Sequence, residues 1–209
     1  MVLDLGANMG AFSVEVSKRF GCRVHAVEPV DHLNQLIRQA SSNGMVQVHC
    51  MAVSSTSGWS CFYVSPNSEA SSLNQRTETD GKVQRVDVRT ITLEDFLLSE
   101  QLESIDLLKM DIEGAELDVL ELTSDCTLQR IKQLTVEFHE FLYPETSSRI
   151  KLVKQRLRRL GFWDLDFSQT NGDVLFINPI LQCGVLERAS AVWGKYSSGL
   201  ARRLRRMTS

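Results

Sequence analysis

Hydrophobic residues recur along this chain in two kinds of segment, short apolar runs and longer stretches with an apolar position every three or four residues. The first run is Val2–Leu5, and a helical pattern begins shortly after it with Phe12, Val14, Val16 and Phe20. Short apolar runs are typical of buried strands, whereas the wider spacing is typical of amphipathic helices. The chain therefore begins with a predicted strand, a turn that contains two glycines and a predicted helix.

The same alternation of strand and helix patterns continues through most of the sequence. Further strands are predicted at residues 24–29, 46–53, 105–110 and 134–140. Helical patterns follow these runs at residues 33–40, 117–122 and 147–160, and a short helix is predicted to start at Thr92. Strands that alternate with helices form parallel sheets with helices on both faces. We therefore expect a doubly wound α/β fold.

Residues 58–90 interrupt this alternation. Two strand patterns, at residues 59–64 and 83–88, enclose a polar segment at residues 65–81. Long polar segments inside a compact domain are usually functional or disordered. We therefore predict a β-hairpin insertion whose polar segment is either a mobile lid or acceptor-binding loop, or simply disordered surface.

The last part of the chain contains a predicted hairpin and an amphipathic segment. Residues 163–167 alternate in polarity, Asn171-Gly172 favours a tight turn, and residues 174–177 form another apolar run. The expected sheet thus has seven strands, mostly parallel, with an antiparallel C-terminal hairpin. We expect one domain at residues 1–178 and an amphipathic basic helix or tail at residues 179–209. That tail could pack on the core or on a dimer partner, fray, or contact an anionic membrane or glycolipid.

Composition narrows the class of protein further. The 209 residues suffice for one domain with its own core, and 43% hydrophobic residues are typical of a globular protein. A net charge of −3 gives no indication of a nucleic-acid partner. No apolar run reaches the ~20 residues of a membrane-spanning helix. The five cysteines include no C-x-x-C pair, so reduced thiols and a cytoplasmic location are expected.

The first turn and the end of the second run together predict a cofactor site. The turn has the spacing Asp4-x-Gly6-x-Asn8-x-Gly10, and Glu28 ends the second run roughly 20 residues later, where an acid can accept hydrogen bonds from ribose hydroxyls. Asn8 stands where a dinucleotide fingerprint requires glycine. A smaller, cationic cofactor therefore fits better, and the carboxylate of Asp4 suits an amino-acid head group.

A second group of acids follows the strand pattern at residues 105–110. Asp111 and Glu113 lie at its carboxyl end, which faces the ligand crevice in a doubly wound sheet. Glu116 falls in the first turn of the next helix, where helix capping is as reasonable a role as catalysis. Glu137 and His139 share one face of the fifth predicted strand and should emerge near these acids. Together they form a candidate catalytic group, and a divalent metal ion is a minor alternative to a metal-free site.

The order of these elements resembles the class I S-adenosylmethionine-dependent methyltransferases, and more narrowly the FkbM-type methyltransferase family. The resemblance rests on the segments at residues 2–10, 27–29, 52–54, 88–96, 105–116 and 137–140. They occur in the expected order over about residues 1 to 178. Members of the family usually have residues ahead of the first strand, so we expect this chain to be a truncated version of a longer protein.

The resemblance implies S-adenosylmethionine as cofactor and a hydroxyl of a sugar, glycolipid or natural product as methyl acceptor. It places the methionine portion of the cofactor on the backbone at residues 6–10 beside Asp4, the ribose on Glu28, and the adenine near Val53. Asp111 is expected to contribute to the cofactor site as well. Because imidazole is a better base at neutral pH than an ordinary carboxylate, His139 is the candidate base. Asp111 and Glu113 would then orient the acceptor.

Two other classes of protein remain open from the sequence. One is an NAD-linked oxidoreductase, which the glycine spacing disfavours. The other is a catalytically silent cofactor-binding module. Neither the acceptor nor the oligomeric state can be named from these residues.

Overall fold

The computed structural model describes residues 1–41, 44–64, 84–140, 143–167 and 172–181. Its main feature is a seven-stranded sheet. The strands in this sheet are β1 (Val2–Leu5), β2 (Val24–Val27), β3 (Val46–His49), β7 (Leu107–Met110), β8 (Gln133–Val136), β9 (Trp163–Asp166) and β10 (Val174–Ile177). Their spatial order is β3-β2-β1-β7-β8-β10-β9, in which the first five are parallel and β10 runs antiparallel to both its neighbours. The predicted fold class is confirmed.

Six α-helices connect the strands within the described residues. They are α1 (Ala11–Phe20), α2 (Asp31–Ala40), α3 (Leu93–Ser99), α4 (Glu116–Leu122), α5 (Asp125–Gln129) and α6 (Ser147–Arg159). The Thr92 side chain accepts a hydrogen bond from the Asp95 backbone N–H at 3.1 Å, which confirms the predicted start of α3. None of the helices in the described ranges is long and apolar enough to cross a membrane.

A second, three-stranded sheet corrects one predicted strand. The run at residues 46–53 is divided between β3 and a separate strand β4 (Ala52–Val53), which pairs with β6 (Gln84–Ile91) rather than with β2. Ala52 and Val53 are adjacent and both buried, so the two-residue alternation of β3 cannot continue through them. β5 (Gly58–Val64) completes this sheet antiparallel to β6, which confirms the predicted hairpin insertion. The predicted polar loop, residues 65–81, lies outside the described residues.

The fifth predicted strand ends earlier than its sequence pattern indicates. β8 stops at Val136, although the pattern continued to residue 140. Val136 pairs with Met110 on one side and with Val174 on the other. Met110 is the last residue of β7, and Val174 is the first residue of the antiparallel strand β10, so both neighbouring strands stop at this level. Because no pairing partner extends further, residues 137–140 leave the sheet. Glu137 and His139 therefore lie on a loop beyond the strand and not on a strand face.

The core lies on both faces of the main sheet, because helices cover both faces of its parallel strands. On one face, Leu3 and Leu5 pack with Phe96, Leu97 and other residues of the largest cluster. On the other face, Ala26 packs against Ile37 of α2. The Asn171 half of the predicted hairpin turn and residues 182–209 of the predicted tail lie outside the described residues.

Candidate cofactor and acceptor site

The glycine turn after β1 is shaped by close packing against neighbouring backbone. Gly6 has φ of +76°, and a Cβ there would lie 1.8 Å from the Asp111 carbonyl oxygen. Gly10 has φ of +79°, and a Cβ there would lie 2.8 Å from Cγ1 of Ile37. Both positions thus require glycine for conformation and for space. The turn holds the carboxyl ends of β1 and β7 and the start of α1 together in one place.

Glu28 lies directly beneath this turn and is almost fully buried. Its Oε2 accepts a hydrogen bond from the Asn8 N–H at 2.9 Å, and its Oε1 accepts one from the Val30 N–H at 3.0 Å. Burial raises the pKa of Glu28 to about 7, although these two hydrogen bonds oppose the rise. Each carboxylate oxygen retains capacity for a second donor. Glu28 can therefore fix the turn and still accept from a ligand hydroxyl.

Asp4 is buried in β1 and does not line the pocket. Its Oδ2 accepts a hydrogen bond from Ser13 Oγ at 2.6 Å, and its Oδ1 lies 3.5 Å from Nζ of Lys109. Burial raises the Asp4 pKa, against the opposing effect of the Lys109 charge. Lys109 also donates to Asp111 Oδ2 at 3.1 Å. Ser13 and Lys109 thus hold Asp4 in the structure, and its contact with the cofactor stays a prediction.

Lys109 lies between Asp4 and Asp111, two predicted site residues, and was not itself predicted from the sequence. Burial lowers its pKa, but the negative charges of Asp4 and Asp111 outweigh this effect, and the pKa lies above its ordinary value. A charged residue inside the apolar run at residues 105–110 was the signal that could have revealed it. Its ammonium group links Asp4 in β1 to Asp111 at the carboxyl end of β7.

The pocket opens above Glu28 at the carboxyl ends of the parallel strands. It is lined by Gly6, Asn8, Val27, Glu28, Pro29, Ala52, Val53, Phe62, Asp111, Ile112 and Glu113. The apolar wall of Ala52, Val53 and Phe62 comes from the second sheet. Phe62 was not predicted, because its place at the pocket depends on how the insertion folds back. The predicted residues Gly6, Asn8, Glu28, Val53, Asp111 and Glu113 are thus brought together, while Gly10 lies at the start of α1.

The loop between β7 and α4 presents the acids Asp111 and Glu113 to the pocket. Glu113 has φ of +58°, an uncommon conformation for a residue other than glycine. The buried Glu116 carboxylate accepts hydrogen bonds from the N–H groups of Ile112 at 2.8 Å and Gly114 at 3.0 Å. Glu116 therefore closes the loop and stabilises the start of its helix.

His139 reaches this loop from the segment after β8. Its Nε2 lies 3.4 Å from Glu113 Oε2 and 3.9 Å from Asp111 Oδ1, while its Nδ1 lies 3.2 Å from Glu116 Oε1. Burial lowers the pKa of His139, but the three carboxylates raise it more, so the pKa lies above its ordinary value. Burial and the charge of Asp111 raise the pKa of Glu137. The predicted meeting of His139 with these acids is observed.

The donor atoms of Asp111, Glu113 and His139 lie within 4.8 Å of one another. This spacing suits a divalent cation as well as a metal-free site. The same three side chains are also close enough to share a proton. Both alternatives involve Asp111 and Glu113, which line the pocket, and His139 beside them.

Comparison with known families decides which class of protein carries this site. Residues 4–163 match the family model described as the Methyltransferase FkbM domain, from β1 to the first residue of β9. The chain belongs to the FkbM methyltransferase family. FkbM methyltransferases use S-adenosylmethionine, which is therefore the cofactor of this chain.

Individual relatives of this FkbM domain are distant. The chain is 28% identical over 199 residues to the AMB antimetabolite synthetase AmbE of Pseudomonas aeruginosa, which covers 78% of this chain and 9% of that protein. A structure of the N-terminal domain of human METTL16 matches 85% of this chain and 60% of its own, with 13% identity and a TM-score of 0.48. Precorrin-6y C5,15-methyltransferase from Geobacter metallireducens matches 85% and 79%, with 11% identity and a TM-score of 0.44. Neither structure supports a functional argument at these scores.

The residues at the pocket of this FkbM domain fit its cofactor. Asn8 Oδ1 is buried and has no hydrogen-bond partner among the described residues, so an acceptor is available for a donor of a bound molecule. Glu28 supplies carboxylate oxygens and the second sheet supplies an apolar wall. A polar end and an apolar end at this spacing match a nucleoside with an amino-acid chain.

Proposed function

We propose that this chain transfers the methyl group of S-adenosylmethionine to a hydroxyl oxygen of a sugar, glycolipid or natural-product acceptor. The observation that supports this proposal is that His139 Nε2 lies 3.4 Å from Glu113 and 3.9 Å from Asp111, two acids that line the cofactor pocket. A buried imidazole between carboxylates is suited to removing a hydroxyl proton. The relative AmbE is named as an antimetabolite synthetase, which favours a natural-product acceptor within this class.

Each pocket residue has a proposed role toward the cofactor. Glu28 accepts hydrogen bonds from the ribose hydroxyls, and Val53 and Phe62 flank the adenine. The backbone at residues 6–10 contacts the methionine portion, where the Asn8 side chain accepts a hydrogen bond. Asp4 holds Lys109 in place, and Lys109 in turn positions Asp111 beside the methionine portion of the cofactor.

The acceptor side of the proposed reaction depends on His139. S-adenosylmethionine supplies an electrophilic methyl carbon bonded to a sulfonium sulfur. Glu116 holds the Nδ1 side of the ring, so Nε2 faces Glu113 and the acceptor. The bound cofactor would supply the activated methyl group, and Nε2 of His139 would take the proton that the acceptor hydroxyl loses. Asp111 and Glu113 orient the hydroxyl, and most of the rate enhancement comes from in-line placement of the reacting atoms.

The first experiment is calorimetric titration of the purified chain with S-adenosylhomocysteine and, separately, with NADH. We expect binding of the first and no binding of the second. Binding of NADH alone would contradict the proposal and favour an oxidoreductase. An acceptor screen by mass spectrometry then looks for a gain of one methyl group on hydroxylated sugars, glycolipids and natural products. Cofactor binding without methyl transfer to any of them would favour a silent binding module.

The role of His139 is tested on the first acceptor that the screen identifies. His139→Ala should abolish most of the turnover and leave S-adenosylhomocysteine binding nearly unchanged, because the residue does not line the cofactor pocket. Unchanged turnover would refute its role as the base. Turnover that is lost in a chelator and restored by a divalent ion would instead favour the metal-assisted alternative.

The division into a domain at residues 1–178 and a basic tail at residues 179–209 is also a proposal. We propose that the tail contacts anionic membrane or glycolipid through its arginines. The cytoplasmic location expected from the cysteines and the absence of a nucleic-acid partner stay predictions. A vesicle co-sedimentation assay with and without residues 182–209 tests the membrane contact.

A further inference from the structure

Two histidines and a glutamate converge on the opposite side of β2 from Ala26. His25 lies in β2, His49 is the last residue of the neighbouring strand β3, and Glu100 directly follows α3. One donor atom from each of the three lies within 4.8 Å of the others. None of the three lines the cofactor pocket, and the proposed methyl transfer uses none of them.

The side chains in this cluster are held in defined orientations. His25 Nδ1 lies 2.9 Å from His49 Nε2, and the planes of the two rings differ by only 13°. Phe96 packs edge-on against both rings, with its centroid 6.0 Å from that of His25 and 5.0 Å from that of His49. The ring nitrogens of the pair therefore face each other across a gap that neighbouring residues fix.

Glu100 completes the cluster from its more open side. Its Oε2 lies 3.8 Å from His25 Nδ1, and its Oε1 lies 3.7 Å from His49 Nδ1. Gln47 donates a hydrogen bond to Glu100 Oε2 at 2.9 Å and so orients the carboxylate. The imidazoles are only 7% exposed, while Glu100 is 23% exposed. An ion could therefore enter beside Glu100 without opening the sheet.

We propose that His25, His49 and Glu100 bind a zinc ion. Zinc takes imidazole nitrogens at about 2.0 Å and carboxylate oxygens at about 2.0–2.2 Å, so tetrahedral ligands are separated by roughly 3.3 Å. His25 Nδ1 and His49 Nε2, which now face each other at 2.9 Å, need to separate slightly and both rings need to turn toward a common point. Glu100, which lies 3.8 Å from His25 Nδ1 but contacts the other nitrogen of His49, Nδ1, needs to move toward the same point. Water supplies the fourth ligand, and Gln47 supports Glu100 from outside the coordination sphere.

The consequence of this site is structural. The ion links β2 and the edge strand β3 to the end of α3, and so adds to the backbone pairing of β2 with β3 and to the hydrogen bond from Gln47 to Glu100. Zinc bound only by the folded chain stabilises it by mass action. β2 also carries Glu28 just beyond its last residue, so the ion would stabilise the support of the cofactor pocket without taking part in the reaction.

The test uses the purified full chain without a histidine tag, freed of metal by a chelator and titrated with zinc chloride in a calorimeter. We expect one zinc ion to bind at this cluster and raise the melting temperature. His49→Gln, which keeps a hydrogen-bond partner for His25, should weaken this binding by at least tenfold and remove the thermal shift. Co²⁺ in place of zinc should give the visible absorption of a tetrahedral nitrogen and oxygen site, and His49→Gln should abolish it.

Three further variants make the result decisive. Glu100→Gln removes a ligand from a partly exposed position and should also weaken zinc binding by at least tenfold, with an unchanged circular dichroism spectrum. His32→Gln, an exposed histidine on α2, and His139→Phe, in the other candidate cluster, should leave this zinc-binding event in place. The proposal would be overturned if the wild-type chain bound no zinc. It would also be overturned if zinc binding were kept in His49→Gln and Glu100→Gln but lost in His139→Phe, because the ion would then be bound at the other cluster. None of these outcomes requires that the proposed methyl transfer be correct.

Discussion

Substitution of Glu28 by glutamine tests the strongest electrostatic feature of the pocket. Folding buries this carboxyl group and raises its pKa from 4.5 to about 7. Between these pH values the unfolded chain has released the proton while the folded chain keeps it. The stability contributed by the protonated group is therefore complete below about pH 4.5 and is lost as pH rises through about 7.

The expected size of this effect follows from the two pKa values. At 1.36 kcal/mol for each pH unit, the difference between 4.5 and about 7 corresponds to about 3 kcal/mol of free energy of unfolding. Glutamine has a similar shape and does not titrate. The stability of Glu28→Gln relative to the wild type should therefore rise by about 3 kcal/mol between pH 4.5 and a pH of about 8.

The assay is urea denaturation of both proteins at several pH values across this interval, followed by circular dichroism. A difference in stability between the two proteins that does not vary with pH reflects the hydrogen bonds with Asn8 and Val30, which glutamine forms less well. Only the change of that difference with pH reflects the titration of Glu28. Glu15→Gln, on the exposed side of α1, controls for the loss of one surface carboxylate. A difference between Glu28→Gln and wild type that stays constant with pH would refute the burial argument.

Three other predictions follow from the same site. Glu28→Ala should weaken S-adenosylhomocysteine binding by about 1 to 3 kcal/mol in calorimetry, because hydrogen-bonding groups lose their partner, and an unchanged affinity would contradict the ribose role. Gly6→Ala should destabilise the fold by several kcal/mol in the same denaturation assay, because the added Cβ would lie 1.8 Å from the Asp111 carbonyl oxygen. A stability close to that of the wild type would show that the turn can move to make room. The rate of methyl transfer should rise as pH increases through the raised pKa of His139, because the ring then loses its proton. Glu116→Gln removes a neighbouring negative charge and should lower this pKa, so the rise in rate should occur at lower pH. A pH–rate profile that Glu116→Gln does not shift would assign the titration to another group.

Local sequence determined much of this protein. The glycine turn, Glu28 and the segment at residues 111–116 were identified from residue type and spacing, because a turn, a strand end and a helix start each have short-range requirements. The mostly parallel sheet with its antiparallel C-terminal hairpin followed as well, since alternating strands and helices leave few ways to build such a sheet. The likeness to the FkbM family came from these same segments taken in order.

Tertiary structure decided the contacts that link distant segments. The division of residues 46–53 depends on pairing with β6, and the early end of β8 depends on where its two neighbours stop. The contacts of Asp4 with Ser13 and Lys109 were not predicted from the sequence either. The cluster of His25, His49 and Glu100 has no sequence signature, because its members come from two strands and the end of a helix. Such contacts depend on packing across the whole sheet, whereas spacing along the chain reports only on near neighbours.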